Sequence, residues 1–415
     1  MQAPQETPVH SAPTAEMPGR VELIALMAML AAIIAFSIDA MLPALPAMAA
    51  EMSPDAPNRV QLVVTIFVLG MGIGTLFTGP LSDFFGRKPV VLAGTALYIA
   101  AAALAAQAES LGMLLFARLL QGLGAAGPRV VSMAIIRDLF AGRQMAQIMS
   151  FVMMVFTLAP AIAPTIGAAM VSFAGWHSIF WAFVLFAGVL SLWLSVRLPE
   201  TLPRGARLPF RTADLWQATK ETMSYPVVRL SIAVQSFVFG MLFATISSVQ
   251  QIYEISFDKG DSFPLWFGVV AILSASGSVL NAMLVVRIGM RRLVSIMLAV
   301  QIVLSGGLLL VQLAGVSGDA LFVIFFIWQF GAFFQAGMTI GNLNAMAMEP
   351  VGHIAGMAAS VIGFISTVAA VVLAVPVGLM FDGTALPLAI GVLVFAIAGL
   401  LLMQAMRRAE SRMAP

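Results

Sequence analysis

"GPLSDFFGRKPVV" (residues 79–91) sets a Gly-Pro pair, one acid, a second glycine and two adjacent bases between two long apolar runs. One run enters from about residue 60 to 80, and the other leaves from about 89 to 107. Each is close to the ~20 residues that a helix needs to cross a bilayer. The stretch therefore reads as a tight charged turn joining two membrane spans. A weaker copy follows later in the chain. "AMLVVRIGMRRLV" (282–294) again places a glycine, Gly289, just before two bases, with Val286 where the first copy has Asp83.

Further spans are readable on either side of these turns. Apolar runs fall near 22–46, 60–80, 89–107, 111–136, 146–171, 177–196, 228–252, 264–286, 293–314, 320–348, 354–380 and 386–406, twelve in all. The longest polar link, 197–227, lies between spans six and seven and carries Arg204, Arg207, Arg211 and Lys220. Six spans, a basic linker and six more predict an all-α integral membrane protein with two six-helix halves. In transporters such halves flank a binding site at the midplane. The expected organisation is a disordered N-tail (1–20), an N-terminal half (21–196), a linker (197–227), a C-terminal half (228–408) and a C-tail (409–415).

Composition agrees with lipid as the solvent. The 415 residues are 61% hydrophobic and 10% charged, where a soluble domain carries roughly 25% charged residues. The first span is too long, and its leader too acidic, for a cleaved signal peptide. There is no cysteine, so disulfides and thiolate metal sites are excluded. His10, His177 and His353 lack metal-ligand spacing. No metal and no cofactor are expected.

The pI near 9.3 reflects orientation and not a nucleic-acid partner. With the N-terminus placed in the cytoplasm, 17 of the 21 basic residues fall on the cytoplasmic side. Arg59 and Lys259 lie opposite, and Arg118 and Arg129 lie within a span. This is the positive-inside asymmetry. It places both termini in the cytoplasm.

Of the 19 acids, Asp39, in "AAIIAFSIDAMLPALPAMAA" (31–50), alone lies deep in a span. A charge there costs about 2.5–3.5 kcal/mol or more, so the group is protonated, paired or facing water. A packing role near Pro43 or a place at a helix end are the plainer readings. Asp39 lies about 10 Å from the outer end of helix 1, and Arg118 about 9 Å from that of helix 4, at 1.5 Å per residue. Arg129, eleven residues after Arg118, projects from the same face, with Gln121, Gly122 and Ala125 between them. Snorkelling toward headgroups is the plainer reading of Arg129. On helix 5, Pro160, Pro164 and Gly167 share one face and predict a kink.

The substrate wall is read from spacing. Trp328, Gln335 and Asn342 recur every seven residues on helix 10. Gln121 and Arg129 on helix 4, Gln235 and Phe239 on helix 7, Met149, Met153 and Phe156 on helix 5, and Phe36 on helix 1 join them as candidates. Aromatic, methionine and amide side chains suit an adaptable pocket for amphipathic molecules. Most of the 28 Met and 29 Phe must nevertheless face lipid or neighbouring helices.

Several of these motifs, in order, resemble one family. "GPLSDFFGRKP" (79–89) resembles the loop motif of the major facilitator superfamily, and "RLLQGLGAAG" (118–127) its helix-4 motif. "IDAMLPALPAMA" (38–49), "LAPAIAPTIGAA" (158–169), "GWHSIFW" (175–181) and "LPETL" (198–202) resemble the bicyclomycin/chloramphenicol-resistance (Bcr/CflA) branch of its drug:proton antiporters. The resemblance implies that helices 1 and 4 line the cavity, making Asp39 and Arg118 a possible proton-coupling pair. It also implies a conformational latch formed by Gly79, Asp83, Gly86, Arg87 and Lys88, with Asp83 facing the start of helix 11. Helix 5 occupies the place of the antiporter signature, with Ala159 and Ala163 where glycines are usual.

The reading this favours is proton-driven efflux of small amphipathic compounds, including antibiotics, by a monomer in a bacterial inner membrane. Its partners are substrate, protons and lipid. A transporter of a metabolite such as a nucleoside or amino acid, and a non-transporting receptor of the same fold, remain open. No enzymatic constellation is present.

Overall fold

The computed structural model describes residues 18–413, except the side chains of Arg143, Ala146, Phe156, Thr157 and 409–413. The proposed tail over 1–20 therefore lies outside the described residues up to 17, and Arg20 already begins a helix. In lipid the backbone must satisfy its hydrogen bonds internally, and the apolar runs do so as helices. These are α1 (Arg20–Asp39), α2 (Leu62–Phe85), α3 (Arg87–Ala105), α4 (Leu111–Leu139), α5 (Gly142–Ala174) and α6 (His177–Arg197). After the linker come α7 (Pro226–Gln251), α8 (Phe263–Ile288), α9 (Met290–Leu313), α10 (Gly318–Met348), α11 (Ala355–Leu379) and α12 (Leu386–Met413). The apolar stretch Gly318–Leu379 is long enough for two spans. The irregular turn Glu349–Ile354, where Val351 leaves helical geometry (φ −115°, ψ 22°), divides it.

The two halves repeat one packing scheme. The pairs α1–α5, α2–α4, α3–α6 and α1–α4 have counterparts in α7–α11, α8–α10, α9–α12 and α7–α10. The weak sequence repeat becomes a shared turn. Gly86 (φ 105°) and Gly289 (φ 86°) each end one helix and begin the next in a backbone region open to glycine. Between the halves, α2 lies along α11 and α5 along α8. The loops rich in arginine and lysine gather at one end of the bundle, the basic end. The other is the opposite end.

The linker has structure of its own. Glu200, within "LPETL", accepts from the backbone N–H groups of Arg87 (2.9 Å) and Lys88 (3.2 Å) and so caps α3. A helix over Thr212–Thr222 packs beside α11.

Candidate functional site

The candidate site begins at a break in the first span. Pro43 and Pro46 have no N–H to offer the carbonyls one turn earlier, those of Asp39 and Leu42. The α-helix stops at Asp39, tightens through a turn at Leu42–Ala44, and resumes over Leu45–Met52. At the break Ala40 N–H donates to Phe36 O (3.1 Å) and Met41 N–H to Ile38 O (3.3 Å). The Ser37 carbonyl is thus left without a donor from its own helix.

Arg118 supplies that donor. Its Nη2 donates to Ser37 O (3.1 Å), its Nε to Val63 O (3.0 Å) and its Nη1 to Gln121 Oε1 (2.7 Å). The guanidinium also lies 4.3 Å from the centre of the Phe67 ring. It is fully buried. Tyr98 on α3 closes the cluster, with its hydroxyl 2.6 Å from Ser37 Oγ. Arg118 therefore braces α4 against the broken segment of α1 and the start of α2.

The proposed partnership with Asp39 takes an indirect form. Arg118 reaches the chain two residues before Asp39, at the depth the sequence places it, but binds backbone carbonyl. No ion pair joins them. Asp39 is 4% exposed and makes no hydrogen bond or ion pair with a described residue. Beside it, Gly167 of α5 presses on the Ala40 carbonyl so closely that a Cβ would overlap it. The proline-rich face of α5 contributes this close approach, while α5 stays one continuous helix through Pro160 and Pro164.

The candidate substrate wall is largely turned elsewhere. Trp328 Nε1 donates to Ser305 Oγ of α9 (2.9 Å). Gly331, on the same face of α10, abuts Leu304 of α9. Gln335 bonds Thr339 within its own helix (3.3 Å), and Asn342 bonds Asn281 of α8 (2.7 Å). Seven-residue spacing fixes a shared face but not the neighbour it meets: here the Trp328 indole and the Asn342 amide find partners on adjacent helices, while the buried Gln335 Oε1 has none among the described residues. Phe36 similarly packs on Phe183 and Phe186 of α6, with centroids at 5.3 and 5.5 Å. Phe239 stacks on Phe243.

Gln121 is bound to Arg118. Gln235 is buried, with its Oε1 lacking a partner. Met149 is half-buried and Met153 exposed. The side chain of Phe156 lies outside what the structure describes. Arg129 is half-buried, and its Nη1 meets Met71 Sδ at 3.6 Å.

The loop motif forms an ionic network within one half. Arg87 donates to Asp83 Oδ1 (2.5 Å), Asp138 Oδ2 (2.8 Å) and Ser82 Oγ (2.7 Å). Lys88 Nζ donates to Ser195 O (2.7 Å). Gly79 lies against Ser360 of α11. The bond expected from Asp83 to the start of α11 is not made. A 210 Å³ crevice there is lined by Asp83, Met357 and linker residues including Phe210, and Leu208 N–H donates to Asp83 O (3.1 Å).

Direct hydrogen bonds between the halves gather at the opposite end. Gln61 Nε2 donates to Gln251 Oε1, and Ser248 Oγ donates to Gln61 Oε1 (3.0 Å). Asn58 Nδ2 donates to the carbonyls of Phe381 (2.7 Å) and Leu379 (3.2 Å). Sequence reasoning missed these residues, together with Asp138 and Glu200. The run "SSVQQ" (247–251), polar at the end of an apolar span, was the available signal.

Residues 27–374 match the family model described as Major Facilitator Superfamily. The chain is 34% identical over 279 residues to the bicyclomycin resistance protein homolog of Haemophilus influenzae, covering 65% of this chain and 68% of that protein. It is 27% identical to the multidrug resistance protein MdtL of Klebsiella pneumoniae, over 53% of this chain and 56% of that one. Among solved structures it resembles a D-xylose–proton symporter, with a TM-score of 0.75 and 14% identity over 93% of this chain and 97% of that chain. At that identity the likeness speaks for the fold.

Proposed function

This chain belongs to the major facilitator superfamily, a transporter family and not an enzyme family, and from that premise we propose that it exports small amphipathic compounds, antibiotics among them, in exchange for protons. The names of the bicyclomycin-resistance homologue and of the MdtL proteins support the substrate class. The observation that carries the coupling is Asp39. It is the one acid deep in a span, held at a break in α1 and facing no fixed cation. Such a carboxylate gains most from holding a proton while buried, and can release it when the surrounding cavity opens to water.

Arg118 acts as the brace that fixes the break, and through it the position of Asp39. The halves are tied by hydrogen bonds at the opposite end, and α2 also meets α11 toward the basic end, at Gly79 and Ser360. The asymmetry of basic residues assigns that end to the cytoplasm, with both termini there and the protein in a bacterial inner membrane as a monomer. Protons supply the drive, without a cofactor.

The test is proton flux in proteoliposomes holding a pH-sensitive dye, challenged in turn with bicyclomycin, chloramphenicol, a nucleoside and an amino acid. A proton signal with the antibiotics alone is expected. A signal only with the nucleoside or the amino acid would replace this reading with metabolite transport.

A further inference from the structure

Arg118 and Arg129 lie eleven residues apart on α4, which puts them within ~20° of one face. Their surroundings differ sharply. Arg118 donates to two backbone carbonyls and an amide and rests on an aromatic ring. Arg129 has one side-chain partner, the thioether of Met71 at 3.6 Å, and sulfur of this kind is a weak acceptor. Its remaining N–H groups find no acceptor among the described residues. Asp83 of the loop motif and Asp138 at the basic end of α4 are both committed to Arg87.

The position is not that of a snorkelling residue. Arg129 lies ten residues, or ~15 Å, from the basic end of α4. Met71, which its guanidinium touches, lies fourteen residues, or ~21 Å, from the basic end of α2. The side chain therefore points toward the middle of the membrane. It also points away from the exposed Phe116, ~140° around α4. A guanidinium left this bare inside a membrane has a built-in demand for an acceptor, and a charged acceptor meets it best. The planar fork binds a carboxylate or sulfonate through two parallel bonds, stronger than those to a neutral carbonyl.

We propose that Arg129 is a specificity-determining residue that receives an anionic group where an amphipathic substrate carries one, favouring molecules with a carboxylate or sulfonate over uncharged relatives that bind without it. This rests on the exporter reading above. Arg118 cannot serve in its place, because it is fully buried and each of its three nitrogens already donates within the bundle.

The full chain in nanodiscs separates the possibilities with two fluorescent probes of the same aromatic body. These are 1-anilinonaphthalene-8-sulfonate and its uncharged relative N-phenyl-1-naphthylamine, each corrected with empty nanodiscs. Arg129→Gln is expected to weaken the sulfonate probe tenfold or more and to change the neutral probe by less than twofold. Arg129→Lys keeps the charge without the fork and should cost the sulfonate probe about threefold. Unchanged neutral binding also shows that both variants are folded. Equal weakening of both probes would overturn the proposal and make Arg129 a packing residue or a counter-ion for Asp39. Sulfonate binding that ignores the substitutions, or that is absent while the neutral probe binds, overturns it too. If neither probe binds but antibiotics still drive proton flux, the inference fails and the exporter reading stands. If neither probe binds and no antibiotic drives flux, the exporter reading fails and takes the inference with it.

Discussion

The two ends of the bundle are held by different chemistry. At the opposite end an ion pair inside the C-terminal half, Lys259 with Asp319 (3.1 Å), stands beside neutral ties: Gln61 with Gln251 and Ser248, and Asn58 with the carbonyls of Leu379 and Phe381. The neutral ties run from one half to the other. At the basic end the ties are ionic. Arg87 holds Asp83 and Asp138, and Arg197 holds Glu22 (2.7 Å), all within the N-terminal half. His353 meets Glu221 of the linker (2.5 Å).

Function explains the division. Contacts between halves must open and close in every cycle, and a neutral hydrogen bond is worth only about 0.5–1.5 kcal/mol net. Contacts inside a half must persist, and breaking a buried ion pair by removing one member costs about 3–5 kcal/mol. The loop motif ties residues of one half to each other, and the amides at the far end join the two halves.

The largest expected effect is therefore on the ionic side. Arg87→Ala strands two carboxylates and the Ser82 hydroxyl around a side chain only 6% exposed. We expect a loss of about 3 kcal/mol in stability, seen as a clear fall in the thermal unfolding midpoint in detergent. A wild-type midpoint would mean that the network is ornamental.

The next effect is conformational. Gln61→Ala removes both amide contacts at the opposite end and should leave the folded protein intact while shifting it toward opening there. Two neutral bonds at about 1 kcal/mol each correspond to a population change of roughly tenfold or more. Spin-label distances between Asp55→Cys and Met380→Cys should lengthen. An unmoved distribution would show that the amides do not hold this state.

Asp83→Asn should do least, because the carboxylate is 34% exposed and Arg87 keeps Asp138. A stability loss below about 1 kcal/mol is expected, with the distances at the opposite end unchanged. A large shift there would return the latch to the loop motif.

Much of this arrangement was legible in the sequence, for identifiable reasons. Lipid demands long apolar helices, so hydropathy located the twelve spans, and a glycine before two bases located the equivalent turns at Gly86 and Gly289. A lone acid in an apolar run costs enough to stand out, which exposed Asp39. The break at Asp39, inside a run read as one span over 22–46, became visible only in the structure, although Pro43 and Pro46 are its cause.

The substrate wall was not legible, because periodicity says that Trp328, Gln335 and Asn342 share a face and nothing about the helix they meet. The sequence offered Asp39 as a possible partner for Arg118, whereas its guanidinium meets the Ser37 carbonyl. The free Ser37 carbonyl exists only once α1 has broken, and no residue type announces it. Glu200 caps α3 from 113 positions away, a distance at which spacing carries no information.

The central claim is that Asp39 carries the proton exchanged for substrate, and Asp39→Asn tests it most directly. The amide keeps the size of the side chain but cannot cycle between charged and neutral forms. In proteoliposomes the variant should retain exchange of labelled for unlabelled substrate and lose all accumulation driven by a pH gradient. Accumulation at the wild-type rate and extent would contradict the account and move the proton to another group.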